Sequence, residues 1–107
     1  MSRMIRFHKF GAADVLRCEE QAEPSPAADE VQIRVQAVGV SWYDVLWRQN
    51  LAPSQARLPA GIGHEMAGVV TAVGEGVEDI VVGDRVASFP ATSANDHPVY
   101  GDVIVLP

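Results

Sequence analysis

Glycine interrupts residues 59–86, PAGIGHEMAGVVTAVGEGVEDIVVGDRV, at short intervals, and this spacing limits the fold more than any other feature of the chain. Apolar and small residues alternate over residues 66–73, which predicts a strand. Gly68 inside that strand predicts a bulge or a close backbone contact. Residues 74–76 and 83–84 carry the glycines that tight turns require. Such a pattern favours short antiparallel strands over long helices.

Residues outside this stretch alternate in the same manner. The clearest strand covers residues 30–38, where Val31, Ile33, Val35 and Ala37 share one face and polar residues occupy the other. The predicted strands cover residues 4–10, 15–20, 30–38, 66–73, 85–89 and 99–106, and the predicted connections include residues 22–29, 51–59 and 90–98. No βαβ alternation occurs, and no G-x-G-x-x-G follows a strand. The predicted fold is therefore mainly β, a mostly antiparallel barrel with one or two helical turns.

One helix is predicted over residues 41–50, where the period of the apolar residues changes. Ser41 and Asp44 have the spacing of an N-cap residue and its N3 partner. Asn50 is suited to end the helix. The residues predicted for the core-facing side of this helix are Trp42, Val45 and Leu46.

The bulk composition excludes several classes of function. The chain has 107 residues, which is enough for one domain with its own core. Its formal net charge is −6 and it has no basic stripe to meet phosphates, so a nucleic-acid partner is not expected. No apolar run approaches the roughly 20 residues that a membrane-spanning helix needs, and no signal peptide is recognisable. We therefore expect a cytoplasmic protein.

Cys18, His8 and the end of the sequence each allow one further prediction. Cys18 is the one cysteine, which excludes an internal disulfide and a Cys-rich zinc knuckle, and we predict that it packs as a small side chain. His8 is predicted to face solvent from a strand. The sequence ends at Pro107 in the strand-like run VYGDVIVLP, which we interpret as a piece of a longer protein. The alternative is a small protein with a C-terminal edge strand.

His64 and Glu65 are the first candidates for chemistry. A histidine ligates metals through a neutral ring nitrogen or carries protons near neutral pH, and it also serves as a hydrogen-bonded turn residue. Neighbours on an extended backbone point in opposite directions, so adjacency does not bring both side chains onto one metal. Cys18, His8 and His97 are remote in sequence, and a zinc site would need Asp, Glu or groups outside the chain.

A second polar cluster stands at the predicted start of the helix, where Ser41, Tyr43 and Asp44 lie close in sequence. Two interpretations are open from the residues alone. The cluster faces a ligand, since amides at a helix N-terminus bind anions, or it is a helix cap with Tyr43 partly buried. Trp42 and Trp47 are both predicted to be packing residues.

The run GHEMAGVVTAVGEGVEDIVVGDRV over residues 63–86 resembles the signature of the medium-chain dehydrogenase/reductase superfamily, which includes zinc alcohol dehydrogenases and quinone oxidoreductases. Three further segments are similar to the family in the same order. They are the GxxxVL pattern of residues 11–16, the P-x-x-x-E-V-x-I-x-V pattern within residues 24–37, and VGVSWYDVLWRQN at residues 38–50. The resemblance covers nearly the whole sequence.

This resemblance implies that residues 1–107 form a GroES-like domain, the partly open β-barrel that makes the catalytic half of such enzymes. In the family a nucleotide-binding Rossmann domain follows, and it is absent from this sequence. The implied cofactor is NADP or NAD, bound mostly by that domain, with Ser41, Trp42 and Tyr43 on the wall that faces it. The implied catalytic residues are Tyr43, Asp44 and His64, with Tyr43 as a proton donor to a substrate oxygen.

Zinc is not expected, because the sequence departs from the zinc-dependent members. They carry a cysteine ligand where this chain has Ser41, and a neutral hydroxyl is a poor zinc ligand beside a thiolate. The cysteine-rich lobe that zinc members carry after GDRV is also missing, as in members of the quinone oxidoreductase type. If zinc is present, His64 and Glu65 are its expected ligands in this chain.

The expected function is therefore that of a zinc-independent, NAD(P)H-dependent oxidoreductase of the quinone oxidoreductase type. Hydride would pass to a carbonyl or a conjugated alkene of a small-molecule substrate, and the domain by itself would be inactive. The alternatives are a zinc alcohol dehydrogenase with altered ligands and a non-enzymatic GroES-like interaction module. A homodimer is a further expectation.

Overall fold

The computed structural model describes residues 1–88 and 93–107, and within them the chain forms seven strands and one α-helix. The strands are β1 Ser2–Phe7, β2 Leu16–Gln21, β3 Val31–Gly39, β4 Ala60–Gly61, β5 Glu65–Val73, β6 Arg85–Ser88 and β7 Val103–Leu106. The helix α1 covers Trp42–Arg48, and a single 3₁₀ turn covers Ala13–Val15.

The strands form two antiparallel sheets that do not close into one barrel. The first has the order β2-β1-β4 and the second has the order β6-β5-β3-β7. In the first sheet β1 and β2 pair along their whole length, from Ser2 opposite Gln21 to Phe7 opposite Leu16. This architecture confirms the predicted mainly β, GroES-like, partly open barrel with one or two short helices.

The central strand pair, β3 with β5, contains two register shifts. Gly68 stands opposite Val35 beside the second shift, and a Cβ atom at Gly68 would collide with the carbonyl oxygen of Arg34. This confirms the close contact predicted for Gly68. The same shift makes the prediction for Ala37 wrong, because a bulge turns the following residues to the opposite face, and Ala37 is exposed.

Two groups of buried residues form the core. The first joins β1, β4 and α1 and consists of Phe7, Val15, Trp47, Ala56, Ala60, Ile62 and Ala94. The second lies on the β3–β5–β7 sheet and consists of Val31, Ile33, Met66, Val70, Val99, Ile104 and Leu106. Tyr100 packs against both groups, so it stands where the two sheets meet.

Helix α1 is shorter than predicted and presents a different face to the core. Asn50 has a φ of 62° and follows the C-cap residue, which confirms its predicted role in ending the helix. Trp42 is 76% exposed, so the prediction that it packs is wrong, whereas Trp47 is buried as predicted. The buried residues of the helix are Asp44, Trp47 and Arg48. The buried Asp44 carboxylate, which has hydrogen-bond donors of its own, lies on the core-facing side of the helix, where helical periodicity predicts apolar residues.

Two predicted strands are shorter in the structure because their ends bond elsewhere. β1 stops at Phe7, and the chain beyond it is held by Arg48, whose Nη1 donates to the Gly11 carbonyl at 2.7 Å. β7 begins only at Val103, because the Val99 and Tyr100 amides donate to the Ile62 carbonyl. Of the predicted strand over residues 85–89, the structure describes β6 Arg85–Ser88, and residues 89–92 lie outside the described residues.

The two isolated residues have different outcomes. Cys18 is exposed on the edge strand β2, so the prediction that it packs is wrong. His8 is exposed as predicted, just past the end of β1, with its Nε2 at 2.9 Å from a Glu19 carboxylate oxygen. Of the helical residues that the structure describes, none forms a helix long and apolar enough to span a membrane.

Candidate active site

His64 lies between β4 and β5 and faces the first turn of α1. Its Nδ1 is 3.0 Å from Asp44 Oδ1. Its ring is nearly perpendicular to the Tyr43 ring, at 88° with centroids 4.7 Å apart. The structure therefore brings together the three residues that the family resemblance implied to be catalytic, although 20 positions of sequence separate His64 from Asp44.

Asp44 is the most heavily bonded side chain of the site. Its Oδ2 accepts hydrogen bonds from the Ser41 amide at 3.0 Å, the Ser41 hydroxyl at 3.3 Å and the Tyr100 hydroxyl at 2.8 Å. Its Oδ1 faces His64. An ionised carboxylate accepts hydrogen bonds and donates none, so the hydrogen between the two residues belongs to His64 Nδ1. In a neutral ring the lone pair then lies on Nε2.

Ser41 contributes to the site as a partner of Asp44. It occupies the N-cap position and Asp44 the N3 position, as the sequence predicts. Because the Ser41 amide and hydroxyl both donate to the Asp44 carboxylate, they are engaged inside the protein. This geometry favours the helix-cap interpretation of the cluster over an anion site at the helix start.

Tyr100 belongs to the site, although no sequence pattern indicates this. Its hydroxyl lies 2.8 Å from Asp44 Oδ2 and 3.1 Å from the Gly39 carbonyl oxygen. Burial raises the pKa of the Tyr100 hydroxyl, and the hydrogen bond and negative charge of Asp44 raise this pKa further. The hydroxyl therefore keeps its hydrogen and acts as a donor. Since 56 positions separate Tyr100 from Asp44, no local motif links them.

Neighbouring side chains leave no room for a Cβ atom at either of the two glycines before His64, where Pro98 blocks Gly61 and Tyr100 blocks Gly63. Gly63 has a φ of 102°, and the Tyr100 ring occupies the place where its Cβ atom would be. On the other side, Trp47 Nε1 donates to the Gly61 carbonyl at 3.0 Å. The backbone leading to His64 is thus held between a tyrosine ring and an indole, which fixes the direction of the His64 side chain.

The outer side of the site is formed by aromatic residues. Tyr43 is half-buried, and its hydroxyl lies 3.2 Å from the Ser54 hydroxyl, a second contact that sequence reasoning missed. Trp42 stands next to Tyr43 on the helix with most of its surface exposed. Of the residues expected on the cofactor-facing wall, Trp42 and Tyr43 present open surface, and Ser41 bonds to Asp44.

The residues named as possible zinc ligands have other surroundings in this structure. Glu65 is exposed, and its carboxylate occupies the place where a Cβ atom on Gly39 would stand. The Ser41 hydroxyl donates to Asp44. Within residues 1–88 and 93–107, no three His, Cys, Asp or Glu side chains are close enough together to hold a metal ion.

Known sequences and structures identify the family. Residues 27–101 match the alcohol dehydrogenase GroES-like domain family. The chain belongs to this family. The resemblance to the medium-chain dehydrogenase/reductase superfamily is thereby confirmed, and the GroES-like domain is the part of that superfamily to which residues 27–101 correspond.

The relatives are similar over most of this chain. A quinone oxidoreductase of Salmonella typhimurium is 45% identical over 92 residues, which are 86% of this chain and 28% of that protein. Quinone oxidoreductase 1 of Escherichia coli is 42% identical over 86 residues, 80% of this chain and 26% of that protein. The crystal structure of the Escherichia coli quinone oxidoreductase complexed with NADPH superposes with a TM-score of 0.84 at 35% identity, covering 99% of this chain and 31% of that one. The chain thus spans between a quarter and a third of the length of these relatives.

Proposed function

We propose that this GroES-like domain forms the substrate-side wall of an NADPH-dependent oxidoreductase of the quinone oxidoreductase type, which reduces a quinone, another carbonyl or a conjugated alkene without zinc. The observation that carries this proposal is the buried Asp44–His64 pair. The Tyr43 ring contacts His64, and Ser41, at the position of the cysteine of zinc-dependent members, bonds to the Asp44 carboxylate. The similarity to quinone oxidoreductases, one of them complexed with NADPH, supports the choice of reaction and cofactor.

The cofactor supplies a hydride when it is bound, and most of its binding site lies outside this chain. The residues of this domain bind and orient the substrate beside it. Trp42 offers an exposed indole face, and beside it stands the half-buried Tyr43 ring, which His64 contacts edge-on. Flat, electron-poor substrates stack well on such rings, and a fixed orientation accounts for a large part of the rate of bimolecular steps.

Proton supply completes the reduction. A hydride that reaches the substrate brings two electrons and leaves negative charge on the substrate oxygen, which then takes up a proton. Tyr43 donates this proton, and the exposed Ser54 hydroxyl at 3.2 Å returns one to Tyr43 from solvent. His64, fixed by Asp44, packs edge-on against the Tyr43 ring and holds it in place.

The role of Tyr43 is tested by the Tyr43→Phe change in the complete protein, with NADPH oxidation followed at 340 nm for quinones, enals and ketones. We expect the turnover number to fall about 100-fold, the usual contribution of a general acid, with an altered pH profile. Cys18→Ser, on the exposed edge strand, serves as the matched control and leaves both unchanged. Unaltered turnover and pH profile in Tyr43→Phe would refute the proton-donor role.

The zinc question needs a separate measurement. We expect less than about 0.1 zinc per chain in the complete protein after dialysis, since Ser41 replaces the strong thiolate ligand. One tightly held zinc per chain would replace our proposal with an alcohol dehydrogenase that has altered ligands. A complete protein that binds no NADPH would instead support a non-enzymatic interaction module. A cytoplasmic location and a homodimer stay predictions.

A further inference from the structure

The Tyr100 hydroxyl reaches the centre of the candidate site from a distant part of the sequence. Both of its neighbours, Asp44 Oδ2 and the Gly39 carbonyl oxygen, are acceptors. The hydroxyl is therefore the donor in this contact. Its shorter distance, 2.8 Å, is to the charged acceptor, where hydrogen bonds are stronger than between neutral groups.

The contacts of Asp44 divide between its two oxygens. Oδ2 is held from the helix start by the Ser41 amide and from the barrel by the Tyr100 hydroxyl. Donors from two independent parts of the chain meet at this one oxygen and fix the rotation of the carboxylate about its χ2 torsion, which is otherwise broad. Oδ1 is thereby directed at His64 Nδ1, 3.0 Å away.

Tyr100 is itself rigidly placed. Its amide donates to the Ile62 carbonyl at 3.0 Å, and its carbonyl accepts the Ile5 amide hydrogen at 2.9 Å. Its ring lies against Gly63, directly before His64 in the sequence. One residue thus joins β1, the segment before His64 and helix α1, and a shift of Tyr100 would move both partners of the His64–Asp44 contact.

We propose that Tyr100 is a positioning residue, which orients the Asp44 carboxylate and so keeps the hydrogen of His64 on Nδ1. In the neutral ring, Nε2 then carries the lone pair and is the hydrogen-bond acceptor. The raised pKa of the Tyr100 hydroxyl agrees with a donor that stays protonated across the physiological range. The consequence for catalysis rests on the proposed function, whereas the tautomer of His64 is a property of this chain alone.

The test uses long-range ¹H–¹⁵N NMR of the chain labelled with ¹⁵N-histidine, at a pH of about 8.5, where imidazole is ordinarily neutral. Spectra of His64→Gln assign the His64 signals among those of the three histidines. We expect the Nδ1–H tautomer to dominate in the unsubstituted chain. In Tyr100→Phe the ratio of Nδ1–H to Nε2–H falls about fivefold, the order expected for the loss of one hydrogen bond.

Tyr43→Phe is the matched control, because it also removes one phenolic hydroxyl beside His64. That hydroxyl contacts Ser54 and leaves Asp44 untouched, so the tautomer ratio stays as in the unsubstituted chain. An unchanged ratio in Tyr100→Phe would overturn the proposal and reduce Tyr100 to a packing residue, even if the variant is less stable.

Should Tyr100→Phe fail to fold, the unsubstituted chain decides. We expect a slowly exchanging Tyr100 hydroxyl hydrogen with a nuclear Overhauser effect to the Ser41 amide hydrogen. A dominant Nε2–H tautomer of His64 overturns the proposal without any variant. The proposed function fails separately: a complete protein that oxidises no NADPH refutes the reaction, while a tautomer shift in Tyr100→Phe still supports the positioning role.

Discussion

Two of the three histidine–carboxylate pairs in the described residues have almost the same nitrogen–oxygen distance and very different surroundings. His64 Nδ1 is 3.0 Å from Asp44, and His8 Nε2 is 2.9 Å from Glu19. The side chains of the first pair are 9% and 4% exposed, and those of the second are 47% and 32% exposed. The nitrogen–oxygen distance therefore does not distinguish a candidate site from a surface contact.

The further partners of each carboxylate make the difference. Asp44 is also bonded by Ser41 and Tyr100, so its charge is compensated by hydrogen bonds away from water. Near Glu19 the additional charged group is Arg6, at 4.0 Å, and solvent reaches both side chains. Water weakens the exposed pair and leaves the buried pair at nearly full strength. We therefore expect a fixed histidine tautomer only in the buried pair.

Removal of the buried charge has the largest expected effect. Asp44→Asn keeps the shape of the side chain but directs amide hydrogens at donors such as the Tyr100 hydroxyl. We expect the free energy of unfolding to fall by about 3 kcal/mol, measured by urea denaturation with tryptophan fluorescence. Glu19→Gln, the matched change in the exposed pair, costs less than about 0.5 kcal/mol. Equal losses in the two variants would contradict the comparison.

The backbone that carries His64 gives the second prediction, with a matched pair of glycines. Gly63 and Gly83 have φ values of 102° and 97°, but a Cβ atom at Gly83 meets nothing within 4 Å, whereas one at Gly63 strikes the Tyr100 ring. Alanine at Gly83 adds backbone strain alone, about 1 kcal/mol. We expect Gly63→Ala to cost about 3 kcal/mol, because overpacking is added to the strain.

The difference between the two glycine variants isolates the packing of Tyr100 against the His64 segment. Urea denaturation measures both, and the His64 tautomer ratio should change in Gly63→Ala only. Equal losses of stability would mean that the Tyr100 ring moves aside without cost, and the rigid placement of Tyr100 would then have to be abandoned.

Much of this arrangement could be predicted from local sequence. The alternation of apolar and polar residues predicted the central strands β3 and β5. It failed at Ala37, because a bulge that depends on the partner strand exchanges the buried and exposed faces of β3. The family resemblance grouped Tyr43, Asp44 and His64, and the structure brings them together. Local patterns succeed where the deciding contacts lie within a few residues or recur with a fixed period.

The missed features depend on contacts between distant segments. Tyr100 stood in a predicted strand over residues 99–106, but its amide bonds to Ile62 and its hydroxyl to Asp44. The helix presents Asp44 to the interior because donors outside the helix satisfy the carboxylate, and Trp42 is consequently turned outward. Hydrophobic periodicity assigns the opposite faces, since it contains no information about those donors.

The smallest expected effect concerns the fall of the free energy of unfolding at alkaline pH. Because the pKa of Tyr100 is raised in the folded chain above the ordinary value of about 10, the folded state holds a proton that the unfolded state loses. The stabilisation by this hydroxyl is complete below a pH of about 10 and declines as the pH rises towards the folded-state pKa. We expect Tyr100→Phe to lose less stability than its parent between pH values of about 9.5 and 11.5, in urea denaturation at each pH.

Glu19→Gln should keep the alkaline slope of the parent, because it changes the exposed pair alone. If the stability of Tyr100→Phe falls with pH as steeply as that of the parent, the Tyr100 hydroxyl ionises equally readily in the folded and unfolded states. Its contact with Asp44 would then add nothing to the difference between the buried and the exposed pair.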